Sequence, residues 1–489
     1  MSEEQTAQPT ARTVDVVVIG AGPAGENAAD YAHRGGLSAV LVESELVGGE
    51  CSYWACMPSK ALLRPIELLA EARAVEGVRQ AVTGALDVAA VLERRDGFTS
   101  DYDDVHQVAW AEGAGIEVVR GSGRLSGERE VTVERRDGTS EVLTARHAVV
   151  LATGTGAALP PIPGLALADP WTSRELTAIT EVPRRVVVLG GGVVACEGAQ
   201  ILTGLGAEVT LLEGSPSLLG KVEPWAAERV AIALRGQGVV VHTGTKVRQV
   251  ARPDAGGPVT VTADGPEGQV TVEADEVLAA LGRHVHTDHL GLEVVGLDPG
   301  APVPADDHLT VTSVPGSWLY AVGDCNGRVL QTHMGKYQAR VAGDVIVARA
   351  QERSLDGPRF AATSDAAAVP QVIFTDPQVA AVGLTEAQAR DTGVRVGVVS
   401  AGAVAGSALL REDWAGEARW VIDLDREVLL GMTFVGPDVA ELLHAATVAI
   451  VGAVPMERLW HAVPSYPTVS EVYLRLLEAW RSGTFVAQR

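Results

Sequence analysis

Residues 14–25 read Val-Asp-Val-Val-Val-Ile-Gly-Ala-Gly-Pro-Ala-Gly, an apolar run rich in β-branched residues that ends in a glycine-rich turn. A helix-compatible stretch and a second apolar run follow, and that run is closed by Glu43. Gly20, Gly22 and Gly25 allow a tight turn and let a pyrophosphate approach a helix N-terminus, while the acid accepts hydrogen bonds from ribose hydroxyls. Strand, loop, helix, strand and acid together predict a dinucleotide-binding βαβ unit.

The same pattern returns later in the chain. Residues 186–189 form an apolar run that leads into Gly190 and Gly192, with Ala195 replacing the third glycine, which this fingerprint accepts. Glu213 lies 23 residues after Gly190, the interval that also separates the first glycine and the acid of the first copy. Two copies predict two dinucleotides. A carboxylate at position 213 favours the free 2′-hydroxyl of NADH over a 2′-phosphate; the alternative is a solvated strand end.

Two of the four cysteines, Cys51 and Cys56, lie five positions apart after the first copy. In an ideal helix, five steps cover about 7.5 Å along the axis, which exceeds the roughly 7 Å that a disulfide can bridge. A bond between them therefore requires a distorted turn. Before the pair, Gly48 and Gly49 give the backbone conformational freedom, and after it Pro58 restricts the backbone. The segment predicts a redox-active pair; the alternative is two inert thiols that pack as small hydrophobes.

The composition limits the class of protein. A chain of 489 residues suggests about three domains. Its 39 Lys and Arg against 62 Asp and Glu give a formal net charge of −23, which disfavours nucleic acid as a partner. No apolar signal core or run of roughly 18 apolar residues occurs, so we expect a cytoplasmic protein without a membrane partner. Four cysteines are too few for a disulfide framework, and the absence of a second cysteine pair argues against a metal site.

The rest of the sequence predicts three further regions. Residues 65–112 have the spacing of helices, and residues 116–150 show short alternating runs that predict antiparallel strands. Residues 370–435 alternate like strands around a helical patch, and 438–450 and 469–481 have the pattern of helices. We therefore predict an α/β fold with two Rossmann-like dinucleotide-binding domains and a C-terminal α+β dimerisation domain.

From about residue 13 to about residue 480 the chain resembles the FAD-dependent pyridine nucleotide-disulfide oxidoreductases, the group of dihydrolipoamide dehydrogenase, glutathione reductase, mercuric reductase and soluble transhydrogenase. Besides the segments above, those that carry the resemblance are Leu151-Ala-Thr-Gly154, Gly282-Arg283, Tyr320-Ala-Val-Gly-Asp324 and Val372-Ile-Phe-Thr-Asp-Pro377. The resemblance implies FAD in the first copy, NAD in the second, and a homodimer. It implies a tail over 1–12, an FAD-binding domain over 13–163 and 285–358, an NAD-binding domain over 164–284, and a dimerisation domain over 359–489.

The resemblance also implies roles for individual residues. Cys56 would lie against the flavin as a thiolate, and Cys51 would attack a substrate disulfide. A Lys60–Glu197 ion pair would stabilise the electron-rich reduced ring, with a solvated surface pair as the alternative. The other two cysteines, Cys196 and Cys325, are interpreted as packing residues. The implied cofactor-binding residues are Gly20, Gly22, Gly25, Glu43, Gly49, Thr153, Gly154, Gly190, Gly192, Glu213, Gly282, Arg283, Gly323 and Asp324.

Near its C-terminus the sequence departs from the family pattern. The disulfide reductases of this family carry His-Pro-Thr with a Glu five residues after the His, whereas this chain has Tyr466 at the histidine position and Glu471 in place. A histidine titrates near about 6.5 and a tyrosine near about 10, so Tyr466 is mostly a hydrogen-bond donor at neutral pH. His461 is the alternative proton-exchanging residue. No cysteine follows Cys325, which argues against mercury as a substrate because mercuric reductase needs a C-terminal cysteine pair.

Three functions remain open at this point. The first is a dihydrolipoamide-dehydrogenase-like NADH oxidoreductase that reduces a small disulfide, or oxidises a dithiol, through Cys51 and Cys56. The second is a thiol-independent quinone reductase (diaphorase) or pyridine nucleotide transhydrogenase, which Tyr466 favours. The third is a flavin-bound redox sensor or assembly subunit. Retention of both cysteines favours the first.

Overall fold

The computed structural model describes residues 10–486. Its α-helices are α1 (Pro23–Arg34), α2 (Gly49–Tyr53), α3 (Cys56–Arg73), α4 (Val88–Thr99), α5 (Val105–Gly113), α6 (Ser173–Thr177), α7 (Val193–Gly204), α8 (Pro224–Gly236), α9 (Thr332–Ala350), α10 (Ser364–Ala367), α11 (Glu386–Asp391), α12 (Ala405–Leu410), α13 (Leu443–Val451), α14 (Met456–Leu459) and α15 (Glu471–Arg481).

The strands of the same region are β1 (Thr10–Ile19), β2 (Ala39–Glu43), β3 (Glu117–Arg120), β4 (Ser122–Gly127), β5 (Glu130–Glu134), β6 (Ser140–Leu151), β7 (Thr155–Ala157), β8 (Arg185–Leu189), β9 (Glu208–Leu212), β10 (Val240–His242), β11 (Lys246–Ala251), β12 (Val259–Gly265), β13 (Gly268–Ala274), β14 (Glu276–Ala279), β15 (Arg283–Val285), β16 (Leu319–Ala321), β17 (Pro370–Ile373), β18 (Gln378–Gly383), β19 (Val396–Ala401), β20 (Glu417–Asp423) and β21 (Val428–Gly436).

The described chain divides into two compact units. The first contains residues 10–57, 96–156 and 283–365, and the second contains 58–95, 157–282 and 366–486. The predicted tail over 1–12 lies outside the described residues as far as residue 9. Residues 10–12 belong to β1, which pairs with β6 from its first residue.

A sheet of order β3-β2-β1-β6-β5-β4, with β16 beside β6, forms the centre of the first unit. Strand β1 lies parallel to both β2 and β6. Alternate residues of β1 enter two different buried clusters, Val16 and Val18 on one face and Val17 and Ile19 on the other. A parallel strand that is buried on both faces reads as an unbroken apolar run, which explains the sequence before Gly20.

The prediction of antiparallel strands over 116–150 is only partly correct. Strands β4, β5 and β6 do pair antiparallel, but β3 pairs parallel with β2, and β6 pairs parallel with β1. The physical reason is the helix α5 between β2 and β3, since a helical crossover returns the chain in the same direction. Residues 74–87 also differ from the predicted helical region, because α3 ends at Arg73 and α4 begins only at Val88.

The second unit contains a parallel sheet of order β10-β9-β8-β14 and a C-terminal sheet of order β17-β18-β21-β20-β19. The C-terminal sheet is antiparallel throughout, and its buried cluster includes residues of α13 and α15. The predicted second βαβ unit and the C-terminal α+β region are therefore confirmed. Among residues 10–486, none of the helices is both long and apolar enough to cross a membrane.

Candidate active site

The first glycine loop is closed by contacts that leave no room for side chains at two of its glycines. Gly20 has a φ of +97°, and a Cβ there would lie 2.6 Å from the carbonyl oxygen of Ala152. A Cβ on Gly25 would lie 1.9 Å from the carbonyl oxygen of Gly20. The Glu43 carboxylate accepts the backbone N–H of Ala21 at 2.7 Å, so the predicted acid also fixes the loop that leads into α1.

Other residues of the first unit leave an open cradle beside this loop. A Cβ on Gly22 would meet only the Cα of Gly49, at 4.0 Å, and one on Gly154 would meet nothing within 4 Å. The Thr153 hydroxyl is buried without a hydrogen-bond partner among the described residues. Close backbone approach at glycine and an unsatisfied buried hydroxyl suit a dinucleotide. These residues therefore fit FAD.

Asp324 is held in the same unit by two donors. Its Oδ2 accepts the Thr155 hydroxyl at 2.7 Å and the Arg283 guanidinium at 2.8 Å. Gly323, just before it, has a φ of +73°, and a Cβ there would lie 3.1 Å from that of Ala24. A glycine at this position lets the segment approach the start of α1.

The two cysteines lie where the helix is interrupted. Helix α2 ends at Tyr53 and α3 begins at Cys56, which is the break in regular geometry that a bond between the two cysteines would require. Both residues are thiols in the structure, and their side chains are hydrogen-bonded to each other. The hydroxyl of Thr332 lies 3.3 Å from Cys56 Sγ. The hydrogen bond to Cys56, reinforced by burial, raises the pKa of Cys51.

Sequence reasoning missed Thr332 and Lys336, which lie in the first turns of α9. The positive charge of Lys336 lowers the pKa of Cys51, but less strongly than the effects that raise it. The available signal was the start of a helix soon after the Asp324 segment, since helix N-termini favour negative charge. Cys196 and Cys325 are fully buried, and burial raises the pKa of Cys325 to about 12. Their interpretation as packing residues is confirmed.

The second glycine loop, in the second unit, repeats the geometry of the first. Gly190 has a φ of +105°, and its Cβ would lie 2.3 Å from the carbonyl oxygen of Ala280, whereas a Cβ on Gly192 would meet nothing within 4 Å. A Cβ on Gly191 would lie 2.8 Å from Glu213 Oε2, so the acid lies directly against the loop at the start of α7. Gly282, with a φ of +127°, is also open. These residues fit NAD.

An ion pair lies elsewhere in the second unit. Lys60 Nζ is 2.7 Å from Glu197 Oε2, and the side chains are 34% and 6% exposed respectively. The backbone N–H of Phe374 donates to Glu197 Oε1 at 2.9 Å. The carboxylate is therefore buried and bonded on both oxygens, unlike a solvated surface pair. Phe374 was not singled out from the sequence, although it lies within the segment 372–377.

The C-terminal candidates are spread along one stretch of the second unit. The Tyr466 side chain is 76% exposed, and His461 is also exposed. Glu471 is buried at the start of α15 and forms a salt bridge with Arg475, while its Oε2 has no hydrogen-bond partner among the described residues. No hydrogen bond within residues 10–486 joins Tyr466 to Glu471.

Comparison with known proteins identifies the family. Residues 14–340 match the sequence profile of the pyridine nucleotide-disulphide oxidoreductases, and residues 369–476 match the dimerisation domain of the same family. The chain belongs to the pyridine nucleotide-disulphide oxidoreductase family. A member of this family is an FAD-dependent enzyme that uses NAD(P), and the fold predicted from the two fingerprints is confirmed.

Relatives within this family carry different names. The chain is 31% identical over 482 residues to a mercuric reductase of Staphylococcus aureus, covering 96% of this chain and 84% of the relative. It is 32% identical over 475 residues to a dihydrolipoyl dehydrogenase of Chlorobaculum tepidum, covering 96% and 97%. The Cu(II) complex of the HOCl-induced flavoprotein disulfide reductase RclA from Escherichia coli aligns with a TM-score of 0.80 at 23% identity, over 96% of this chain and 99% of that one. This last likeness concerns the fold.

Proposed function

We propose that this pyridine nucleotide-disulphide oxidoreductase is an NADH-dependent, FAD-containing enzyme that passes electrons through Cys51 and Cys56 to a small disulfide, or in the reverse direction oxidises a dithiol. The observation that carries the proposal is the hydrogen-bonded pair of thiols at the helix break, with the Thr332 hydroxyl beside Cys56. The name of the dihydrolipoyl dehydrogenase relative supports a dithiol or disulfide substrate. We further propose that the enzyme is a cytoplasmic homodimer with the domain boundaries predicted from the sequence.

FAD, when bound, supplies the transfer of an electron pair from NADH to the disulfide. Two electrons and one proton convert the Cys51–Cys56 disulfide into one thiol and one thiolate. In this proposal the proton stays on Cys51 and the negative charge lies on Cys56, where the Thr332 hydroxyl, 3.3 Å from its Sγ, can donate a hydrogen bond to it.

Reduction of the substrate then requires two thiol–disulfide exchanges. Cys51 passes its proton to Cys56 and attacks one sulfur of the substrate disulfide, since the thiolate is the nucleophile. The first product leaves as a thiolate and takes the proton back from Cys56. The Cys56 thiolate then attacks Cys51 Sγ, which restores the disulfide and releases the second product thiolate, protonated by solvent. The same steps run backwards oxidise a dithiol.

The remaining site residues have supporting roles in this proposal. The Lys60 ammonium, paired with buried Glu197, supplies positive charge for the electron-rich reduced flavin. Glu213, at the end of β9 against the second glycine loop, accepts the ribose hydroxyls and favours NADH over NADPH.

A second candidate function is favoured by Tyr466. Its side chain is largely exposed and stands where the disulfide reductases carry histidine, so a thiol-independent quinone reductase or transhydrogenase is the alternative. In that case the two cysteines would not take part in turnover. A Cys51→Ser variant that keeps full turnover with the native acceptor would establish this alternative.

The proposed function is tested by an anaerobic titration of the holoenzyme with NADH, followed by its visible spectrum. We expect uptake of two electron pairs per flavin and a long-wavelength thiolate-to-flavin band that is lost in Cys56→Ser. Uptake of a single pair that only bleaches the flavin would refute a working disulfide. Cys196→Ser is the matched control, because this cysteine is buried in α7.

A further inference from the structure

Both oxygens of the buried Glu197 carboxylate accept hydrogen bonds, each from a different group. Oε2 accepts from Lys60 Nζ at 2.7 Å, and Oε1 accepts from the backbone N–H of Phe374 at 2.9 Å. A buried carboxylate is stable as an anion only where hydrogen bonds replace its lost hydration. The Phe374 N–H therefore replaces part of the lost hydration of the Glu197 carboxylate and fixes it in one orientation.

The ring of the same residue contacts the other member of the pair. The Lys60 ammonium lies over the Phe374 ring, 4.8 Å from its centroid. A cation within about 6 Å of an aromatic centroid is attracted by the negative face of the ring. Phe374 thus holds the carboxylate through its backbone and the ammonium through its side chain.

The segment that carries Phe374 is itself anchored on both sides. Phe374 directly follows β17, and Ile373, the last residue of that strand, is fully buried in a cluster with residues of α7 and α8. Two residues further on, the N–H of Asp376 donates to Gln200 Oε1 at 2.7 Å, and Gln200 is 2% exposed. Helix α7 therefore binds two N–H groups of this segment, through Glu197 and Gln200.

Phe374, which directly follows strand β17 of the C-terminal sheet, therefore connects this sheet to the ion pair. Residues 369–476 match the dimerisation domain, whereas Lys60 and Glu197 lie in the region that matches the nucleotide-binding part of the family. We propose that Phe374 is a positioning residue for the Lys60–Glu197 pair, through which packing of the C-terminal sheet fixes the position of the Lys60 ammonium. This inference rests on the proposed function, in which that charge stabilises the reduced flavin.

The test compares two substitutions in the holoenzyme. Phe374→Leu keeps the backbone N–H and an apolar side chain but removes the ring face, and Phe374→Tyr keeps the ring. The flavin is titrated against a reference redox dye, so that NADH binding does not affect the measured ratio of reduced to oxidised flavin. At a fixed ratio of reduced to oxidised dye, we expect the ratio of reduced to oxidised flavin to fall about 3- to 10-fold in Phe374→Leu and to stay near that of the wild type in Phe374→Tyr.

A Lys60→Met background separates positioning from a general structural effect. If the ring acts through the ammonium, Phe374→Leu no longer changes the flavin ratio once that ammonium is gone. An equal fall in the Lys60→Met background would overturn the inference, as would a lower unfolding temperature of Phe374→Leu with an unchanged flavin ratio. Failure of the proposed function is visible separately, as uptake of one electron pair per flavin in the wild type itself.

Discussion

Substitution of Glu26 by Gln should stabilise the protein at alkaline pH and leave its stability in acid nearly unchanged. Glu26 lies in the first turn of α1, and burial raises its pKa from 4.5 to about 7, with Glu43 adding to the rise and Lys336 opposing it. The folded chain therefore binds the Glu26 proton more tightly than the unfolded chain. That contribution to stability is fully present below pH 4.5 and is lost as the pH rises through about 7.

The magnitude follows from the same two values. Since each pKa unit corresponds to about 1.4 kcal/mol, a rise from 4.5 to about 7 amounts to about 3 kcal/mol at full ionisation. Glutamine has no proton to lose, so this loss does not occur in Glu26→Gln.

The assay is thermal unfolding of the wild type and Glu26→Gln holoenzymes over pH 5 to pH 8.5. We expect the two curves of unfolding temperature against pH to approach each other toward pH 5, to diverge as the pH rises to about 7, and to run parallel above that, with the variant higher. Glu112→Gln, at an exposed position of α5, controls for the loss of one negative charge. A difference between Glu26→Gln and the wild type that does not change with pH would refute the argument from burial.

Three further predictions concern the cofactor loops and the buried cysteines. Glu213→Ala should lower the preference for NADH over NADPH by about 10-fold, since a hydrogen bond to a charged group contributes about 1.5–3 kcal/mol. The preference is measured as the ratio of kcat/KM for the two nucleotides, and an unchanged ratio would show that Glu213 does not bind the ribose hydroxyls. Gly25→Ala should yield protein that lacks flavin absorbance, because its Cβ would lie 1.9 Å from the Gly20 carbonyl oxygen, and a normal flavin content would contradict the close packing of this loop. Cys325→Ser should take up as many electrons per flavin as the wild type, because Cys325 is fully buried and its Sγ donates to the backbone carbonyls of Leu151 and Val322. Half the uptake would show that Cys325 takes part.

The parts of the fold that could be predicted are those encoded locally. A β-branched run, a glycine turn and an acid at a fixed interval describe one βαβ motif within about 25 residues. Both βαβ motifs have the predicted order of strand, glycine loop, helix and strand. The break between Cys51 and Cys56 is predicted from helix rise on the condition that the two cysteines can form a bond. In contrast, the parallel pairing of β3 depends on which strand lies beside it in the sheet, and its own four residues do not specify that neighbour.

The contacts that complete the candidate site join residues far apart in sequence. Cys56 and Thr332 are separated by 276 residues, and Glu197 and Phe374 by 177. No periodicity or motif records such pairings, because they depend on how the elements pack. The sequence could therefore indicate the chemistry of the cysteines and of Glu197, but not the hydroxyl, ring and backbone N–H that hold them.

Because Tyr466 occupies the position of the family's histidine, the proposed function assigns the proton transfers to the cysteine pair. A phenol can donate a hydrogen bond at neutral pH but does not accept a proton from a thiol. The buried Glu471 carboxylate forms a salt bridge with Arg475 in the same helix, and no hydrogen bond within residues 10–486 joins it to Tyr466. Cys51 then has its hydrogen-bonded neighbour Cys56 as a proton acceptor. A dithiol that exchanges its own proton in this way can reduce a disulfide without a histidine, so Tyr466 is compatible with the proposed function as well as with its alternative.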